Sequence, residues 1–190
     1  IGNGLWGNLL TIIDEIDANI YGCMDSEAVN YNEFANVDDD TCIYTVIQEF
    51  EFYSNYLNNI SFNVVLDDMS PFSIFSTFGD PIISNDNGQY FIPSFDINSI
   101  GNINNSDGYL FYFTNGPGDL SIEGVPADLN SSSIQLLPQV INYIGYTPQE
   151  ASSVVEVFQN VPVTIVMNQF GNYYIPEYGI NTLDPAGGMK

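Results

Sequence analysis

A stretch of thirteen residues occurs twice in this chain, 83 positions apart. Gly88-Gln-Tyr-Phe-Ile-Pro-Ser-Phe-Asp-Ile-Asn-Ser-Ile100 aligns with Gly171-Asn-Tyr-Tyr-Ile-Pro-Glu-Tyr-Gly-Ile-Asn-Thr-Leu183, with six identities. The same gapless offset pairs Phe75 with Phe158, Ile82 with Ile165, Ile83 with Val166, Asn85 with Asn168 and Asn59 with Asn142. Such a match points to two copies of one small module, so a fold adopted by one copy must suit the other.

Each copy reads alike. A strand (Phe62–Leu66; Val140–Tyr146) leads to a short helical turn (Pro71–Phe78; Pro148–Gln159). A hydrophobic strand follows (Pro81–Ser84; Val163–Met167), then a turn at Asn87-Gly88 or Phe170-Gly171, then a Tyr-aromatic-Ile-Pro strand. Pro93 and Pro176 have no N–H for a ladder, so this strand is predicted to lie at an edge or to stop there. Gly108-Tyr-Leu-Phe-Tyr-Phe113 supplies a last strand in copy one, and copy two breaks off before its equivalent. Residues 114–133, rich in Gly, Pro, Asn and Ser, read as a linker between the copies. Ahead of the modules, Leu5, Leu9, Ile12, Ile13 and Ile16 have helical spacing, which predicts a short amphipathic helix over Trp6–Ile16.

Charge limits the chemistry. The 190 residues include 24 Asp and Glu, one Lys at the last position, no Arg and no His, for a net charge of −23. Nucleic-acid binding needs cations to displace phosphate counterions, and attachment to an anionic leaflet needs them too. Catalysis through a Ser-His, Cys-His or Lys base has no base. The chain is nonetheless built to fold: 45% of it is hydrophobic, and it carries 13 Phe and 13 Tyr, unlike a disordered acidic chain. Its carboxylates must be relieved by spacing, salt or bound cations, among which calcium suits oxygen donors. No apolar run is long enough to span a bilayer, so membrane insertion is not expected. The missing initiator Met and basic leader fit a stretch of a longer protein.

The two cysteines, Cys23 and Cys42, enclose 18 mostly polar residues. An even pair around such a segment reads as a disulfide in an oxidising compartment, the alternative being two free buried thiols. Closing this loop is worth roughly 3 kcal/mol on the chain-entropy estimate. Asp25, Asn30, Asn32, Asp38, Asp39 and Asp40 place hard oxygen donors within it. They are the candidate calcium ligands, although the spacing is not that of an EF-hand, and the alternative is a solvated acidic turn whose Asn and Asp cap the backbone.

Segment 21–44 also resembles the Cys-bounded acidic repeat of large secreted and cell-surface proteins of marine Bacteroidetes, found as well in proteins of marine phages and algal giant viruses. Its pattern is roughly G-C-T-D-x-x-A-x-N-Y-x-x-x-A-x-x-D-D-G-S-C. Gly22, Cys23, Asp25, Ala28, Asn30, Tyr31, Ala35, Asp38, Asp39 and Cys42 match it, whereas Met24, Asp40 and Thr41 depart from it. Asp40 stands where the family has a turn glycine. The two copies resemble a module of the same kinds of protein, with a Gly-Trp-Asn start, a central Tyr-x-Pro strand and a closing Pro-Gly-x-Gly-Tyr. Leu137–Thr147 is similar to the start without its Gly-Trp pair, and Asp107-Gly108-Tyr109 is similar to the end. The resemblance implies an extracellular, multi-module, non-enzymatic setting and names no ligand.

Two further groups bear on function. Paired carboxylates such as Asp67-Asp68 or Glu150 and Glu156 would be needed for glycoside hydrolysis, but no supporting motif surrounds them, and solvated surface charge is the better reading. Tyr90, Phe91, Tyr173, Tyr174 and Tyr178 would suit a sugar-stacking platform, or else alternate between core and inter-module packing.

The expectation is a mainly β, β-rich α+β chain without enzymatic activity. It comprises an N-terminal helix (1–20), a disulfide-closed acidic module (21–44), module copy one (45–113), a linker (114–133) and a truncated copy two (134–190). The expected role is a structural or adhesive segment of a cell-surface or filament-forming protein, with other subunits or modules as partners and calcium as the possible cofactor. A virion surface protein and a carbohydrate-binding module carried by a secreted enzyme are the alternatives.

Overall fold

The computed structural model describes residues 19–128 and 134–183, so the helix expected over Trp6–Ile16 lies outside the described residues. The chain divides into two compact units, residues 1–45 and 46–190.

The described part of the first unit contains no regular strand or helix beyond isolated parallel bridges, Tyr21 with Val37 and Cys23 with Tyr31. Asp, Asn and Gly favour turns over ladders, which explains why the segment runs as consecutive turns. Of its described hydrophobic residues only Cys23 and Ala28 are buried. With so few described side chains buried, the covalent closure between Cys23 and Cys42 constrains this segment. The expected disulfide is formed, with Cα atoms 4.8 Å apart.

The second unit is mainly β. A three-stranded sheet has the order β1-β8-β3, from β1 (Val46–Glu51), β8 (Asp119–Pro126) and β3 (Val64–Val65). A five-stranded sheet has the order β2-β7-β4-β5-β6, from β2 (Asn58–Ile60), β4 (Ile82–Ser84), β5 (Tyr90–Ile92), β6 (Ile97–Asn98) and β7 (Tyr109–Tyr112). The third sheet has the order β11-β10-β9, from β9 (Val166–Met167), β10 (Tyr173–Ile175) and β11 (Ile180–Asn181). All strand pairs are antiparallel. Two four-residue helices, α1 (Pro71–Ile74) and α2 (Val154–Val157), are capped by Ser70 and Ser153, whose hydroxyls accept from Phe72 N and Val155 N.

The principal core lies beneath the five-stranded sheet. Phe52, Phe62, Phe75, Phe78, Phe111 and Phe113 are buried together, with ring centroids 4.8 Å apart for Phe75–Phe111 and 5.0 Å for Phe78–Phe113. Aromatic pairs of this kind add roughly 0.5–1.5 kcal/mol each beyond area burial. Strand β7 lies between β2 and β4, and Tyr109 and Phe111, with Phe113 just beyond its end, turn into the core.

The 83-residue repeat is reproduced in secondary structure. Helix α1 maps onto α2, β5 onto β10, β6 onto β11, and the 3-10 turn Pro93–Phe95 onto Pro176–Tyr178. Both prolines end their strands, as their missing N–H predicts. Asp96 and Gly179 occupy the same left-handed position, with φ of 55° and 62°.

The structure corrects several expectations. Residues 114–133 are not simply a linker: they contain the eight-residue β8, the longest strand and the centre of its sheet. Its alternation, with Leu120 and Ile122 inward and Ser121 and Glu123 outward, is masked in the sequence by Gly116, Gly118, Gly124 and Pro126. The helices are shorter than Pro71–Phe78 and Pro148–Gln159, because turns replace the helix at Phe75 and Phe158. Phe62–Leu66 forms a ladder only at Val64–Val65. Val140–Tyr146 is not a strand and forms a single bridge, Ile144 with Asp107. Ladders require a partner, and the equivalent of β7 does not occur among the described residues of copy two.

Candidate functional site

In the disulfide-closed loop each candidate ligand has a local role. Asp25 Oδ1 accepts from Glu27 N at 2.9 Å and its Oδ2 from the Tyr44 hydroxyl at 2.7 Å. These bonds hold the Asp25 carboxyl below its ordinary range, the Glu27 N–H first, and the bond to Asp25 holds the Tyr44 phenol above its own. Asn30 ties the middle of the loop to its C-terminal end: its Nδ2 donates to Thr41 O at 2.7 Å and its Oδ1 accepts from Ile43 N at 2.8 Å. Asn32, Asp38 and Asp39 accept from the N–H two residues on, at Phe34, Asp40 and Thr41. Asp40 is held at φ 58°, the left-handed geometry natural to the glycine it replaces in the resembling repeat.

This is the chemistry of an Asx-turn scaffold. Among the described residues no three acidic, Cys or His side chains converge as a metal-binding group. Asn30 in particular spends both ends of its amide within the loop.

The aromatic candidates separate by the pleat. Phe91 and Tyr174 are only 1% and 9% exposed and belong to the two cores, so neither is available to a ligand. Tyr90, Tyr173 and Tyr178 are exposed by 46%, 36% and 70%. Tyr90 and Tyr173 occupy equivalent positions, each backbone N donating at 2.8 Å to the hydroxyl of Ser99 or Thr182. The platform therefore reduces to single tyrosines, not a continuous five-ring surface. Of the carboxylates weighed for hydrolysis, Asp68 caps Ser70 N at 2.8 Å and Glu156 lies in the first turn of α2.

The most built-up region was not singled out from the sequence. It is the joint between the copies, where residues 143–146 lie against 105–108. Gly108 N donates to Tyr143 O and Gly145 N to Ser106 O, both at 3.0 Å, and Tyr143 N donates to Asp86 Oδ2 at 2.9 Å. A Cβ on Gly145 would stand 2.0 Å from Asn105 O, and one on Gly108 would stand 2.8 Å from Ile144 O. Glycine at both places lets two backbones meet directly. Tyr53 and Phe170 add an edge-to-face contact at 5.8 Å, and Asn59 N donates to Gln169 Oε1.

A cleft of about 180 Å³ opens at this joint, lined by Asp86, Asn87, Asp107, Leu137 and Tyr143 among others. Burial, and then the charge of Asp86, raises the Asp107 pKa above its ordinary value. Burial likewise pushes Tyr109 up to about 12, while its hydroxyl accepts from Asn104 N at 2.9 Å. No Lys, Arg or His lies among the described residues to pair with these acids.

No family model, curated protein or solved structure matches the chain. The Asp-Gly-Tyr and Ile-Gly-Tyr sequences were visible as similarities at Asp107–Tyr109 and Ile144–Tyr146, and nothing in one strand's pattern said that they face each other.

Proposed function

We propose that the chain is a non-enzymatic structural or adhesive segment of a larger extracellular assembly. The observation that carries this reading is the joint: two like modules meet backbone to backbone through Gly108 and Gly145, the construction of a rigid tandem array. The Cys23–Cys42 disulfide is compatible with an oxidising exterior, and no helix among the described residues is long and apolar enough to cross a membrane. The resemblance of segment 21–44 to surface repeats of marine bacteria and viruses supports the same setting, on a cell surface or a virion. Calcium enters as mobile counter-charge for a chain of net charge −23, and not as a resident of the loop.

Fractionation of the native material tests this. Recovery of the chain in filaments or particles is expected. A second reading, glycan binding, is favoured by the exposed and equivalent Tyr90 and Tyr173. Recovery only as a dispersed monomer, with glycan-array binding that disappears on Tyr90→Ala and Tyr173→Ala, would replace the first reading by the second.

A further inference from the structure

The two copies agree bond by bond, which fixes which residues are equivalent. Asn85 Oδ1 accepts from Asn87 N and Gln89 N, and Asn168 Oδ1 from Phe170 N and Asn172 N, so the turn after β4 keeps the offset of 83. Asn58 Oδ1 accepts from Tyr53 N while its Nδ2 donates to Tyr53 O and Tyr56 O. Asn142 makes the same set with Leu137 N, Leu137 O and Val140 O. The structural partner of Asn142 is therefore Asn58, and not Asn59 as the gapless alignment pairs them, so the start of each module is offset by 84. The left-handed residues Asn55 and Gln139 share that offset.

With these equivalences the contacts across the joint come in exchanged pairs. Tyr143 N donates to Asp86 Oδ2, and Asn59 N donates to Gln169 Oε1. Tyr143 is the counterpart of Asn59, and Gln169 is the counterpart of Asp86. Each copy thus offers the edge beside its clamped Asn to the turn of the other. Tyr53 meets Phe170 edge to face on one side, and their counterparts Leu137 and Asn87 both line the cleft of about 180 Å³ on the other. Nearly equivalent residues meet in the middle. Tyr146 N donates to Ser61 Oγ at 3.4 Å, Asn63 Nδ2 donates to Pro148 O at 3.4 Å, and Asn63 O accepts from Gln149 Nε2 at 2.7 Å. Ser61 corresponds to Gly145 and Asn63 to Thr147. The bonds of Gly108 and Gly145 belong to one side, and the positions equivalent to 106–108 lie outside the described residues.

An operation that carries copy one onto copy two and exchanges their contacts must undo itself when applied twice. A two-fold rotation does so. A head-to-tail repeat would set one turn against the neighbouring edge and leave the other turn free. We propose that the module carries a self-complementary face, made of residues 59–63 and the turn at Asn85–Gln89, whose partner is a second copy of the same module. The two copies pair through it about a local two-fold axis near Ser61 and Tyr146. Such a pair is closed: each face is spent on the other, and no third module adds through it. In an assembly the repeating unit is then the pair, and growth uses other surfaces. That consequence rests on the assembly reading; the pair itself does not.

The test uses the intact chain with its Cys23–Cys42 disulfide. Ser73 and Glu156 are equivalent exposed positions, and so are Phe95 and Tyr178. One protein carries spin labels on Ser73→Cys and Tyr178→Cys, a second on Phe95→Cys and Glu156→Cys. A two-fold axis makes these two distances equal, so superimposable distance distributions by pulsed electron resonance are expected. Distributions with separate maxima would overturn the pair. A second variant reads stability. Asn87→Phe with Leu137→Tyr installs the reciprocal of the Tyr53–Phe170 contact across the cleft, and its urea midpoint should rise by more than the two single shifts combined. Strictly additive shifts would overturn the reciprocal contact. Equal distances in a chain found natively only as monomers would keep the pair and remove the assembly reading; unequal distances in a chain found in filaments would do the reverse.

Discussion

At the residue scale, Asp107 and Gly145 matter because the copies meet through them. The folded state holds the Asp107 proton at higher pH than the unfolded chain does. Its contribution to stability is therefore full below the ordinary value of 3.8 and is lost as pH rises through the raised pKa. Replacing it by Asn should raise stability at neutral pH and flatten the rise in melting temperature on acidification toward 3.8, measured against the unmodified chain. Asp86, the neighbouring acid, stays in both proteins, so the difference isolates Asp107. Gly145→Ala acts on the same joint by shape. Its Cβ meets a backbone oxygen that cannot move aside, and overpacking of this kind costs roughly 1–3 kcal/mol, readable by urea denaturation. In the sequence both belong to segments legible only as module ends, with nothing to mark them as contacts. A Gly is informative only once its neighbour in space is known, and Asp107 looks like any other acid until Asp86 is beside it.

At the element scale, the disulfide loop and the β modules were legible to different degrees. Spacing of Cys23 and Cys42 was enough to expect their bond, because a polar 18-residue loop has few other means of closure. The six oxygen donors were legible as a group but not as individuals: Asx turns and metal sites draw on the same residue types, and only the directions of the bonds separate them. Changing both cysteines to Ser should cost about 3 kcal/mol and unfold the loop. Proteolysis should then cut within residues 20–44 while 46–128 resists; equal resistance of the loop would contradict this. The repeat was legible because side-chain chemistry survives in the turns and caps, at Asn85, Ser99 and Pro93 and their counterparts Asn168, Thr182 and Pro176. Strand β8 was not, since Gly and Pro mark breaks locally while its two neighbours in the sheet, β1 and β3, impose the ladder. The strand expected over Val140–Tyr146 failed for the converse reason. Its sequence suits a strand, and among the described residues it finds only the bridge from Ile144 to Asp107.

At the scale of the whole molecule, the chain has a net charge of −23, and no Lys, Arg or His lies among its described residues. The exposed edge of the β1–β8 pair sets Glu51 opposite Asp119, a like-charge pair that cross-strand packing does not favour. Raising ionic strength from about 0.01 M to about 0.15 M shortens the screening length from roughly 30 Å to 8 Å and should raise the melting temperature. Calcium at matched ionic strength should act through charge density, without a saturable one-site heat in calorimetry. A stoichiometric heat would restore a resident calcium site.

We propose that this chain works as a repeating part of an extracellular assembly. Immunogold electron microscopy of the native source, with antibody raised against residues 46–183, tests it most directly. Label recurring along filaments or over particle surfaces is the predicted result; label confined to a dispersed soluble fraction would contradict it.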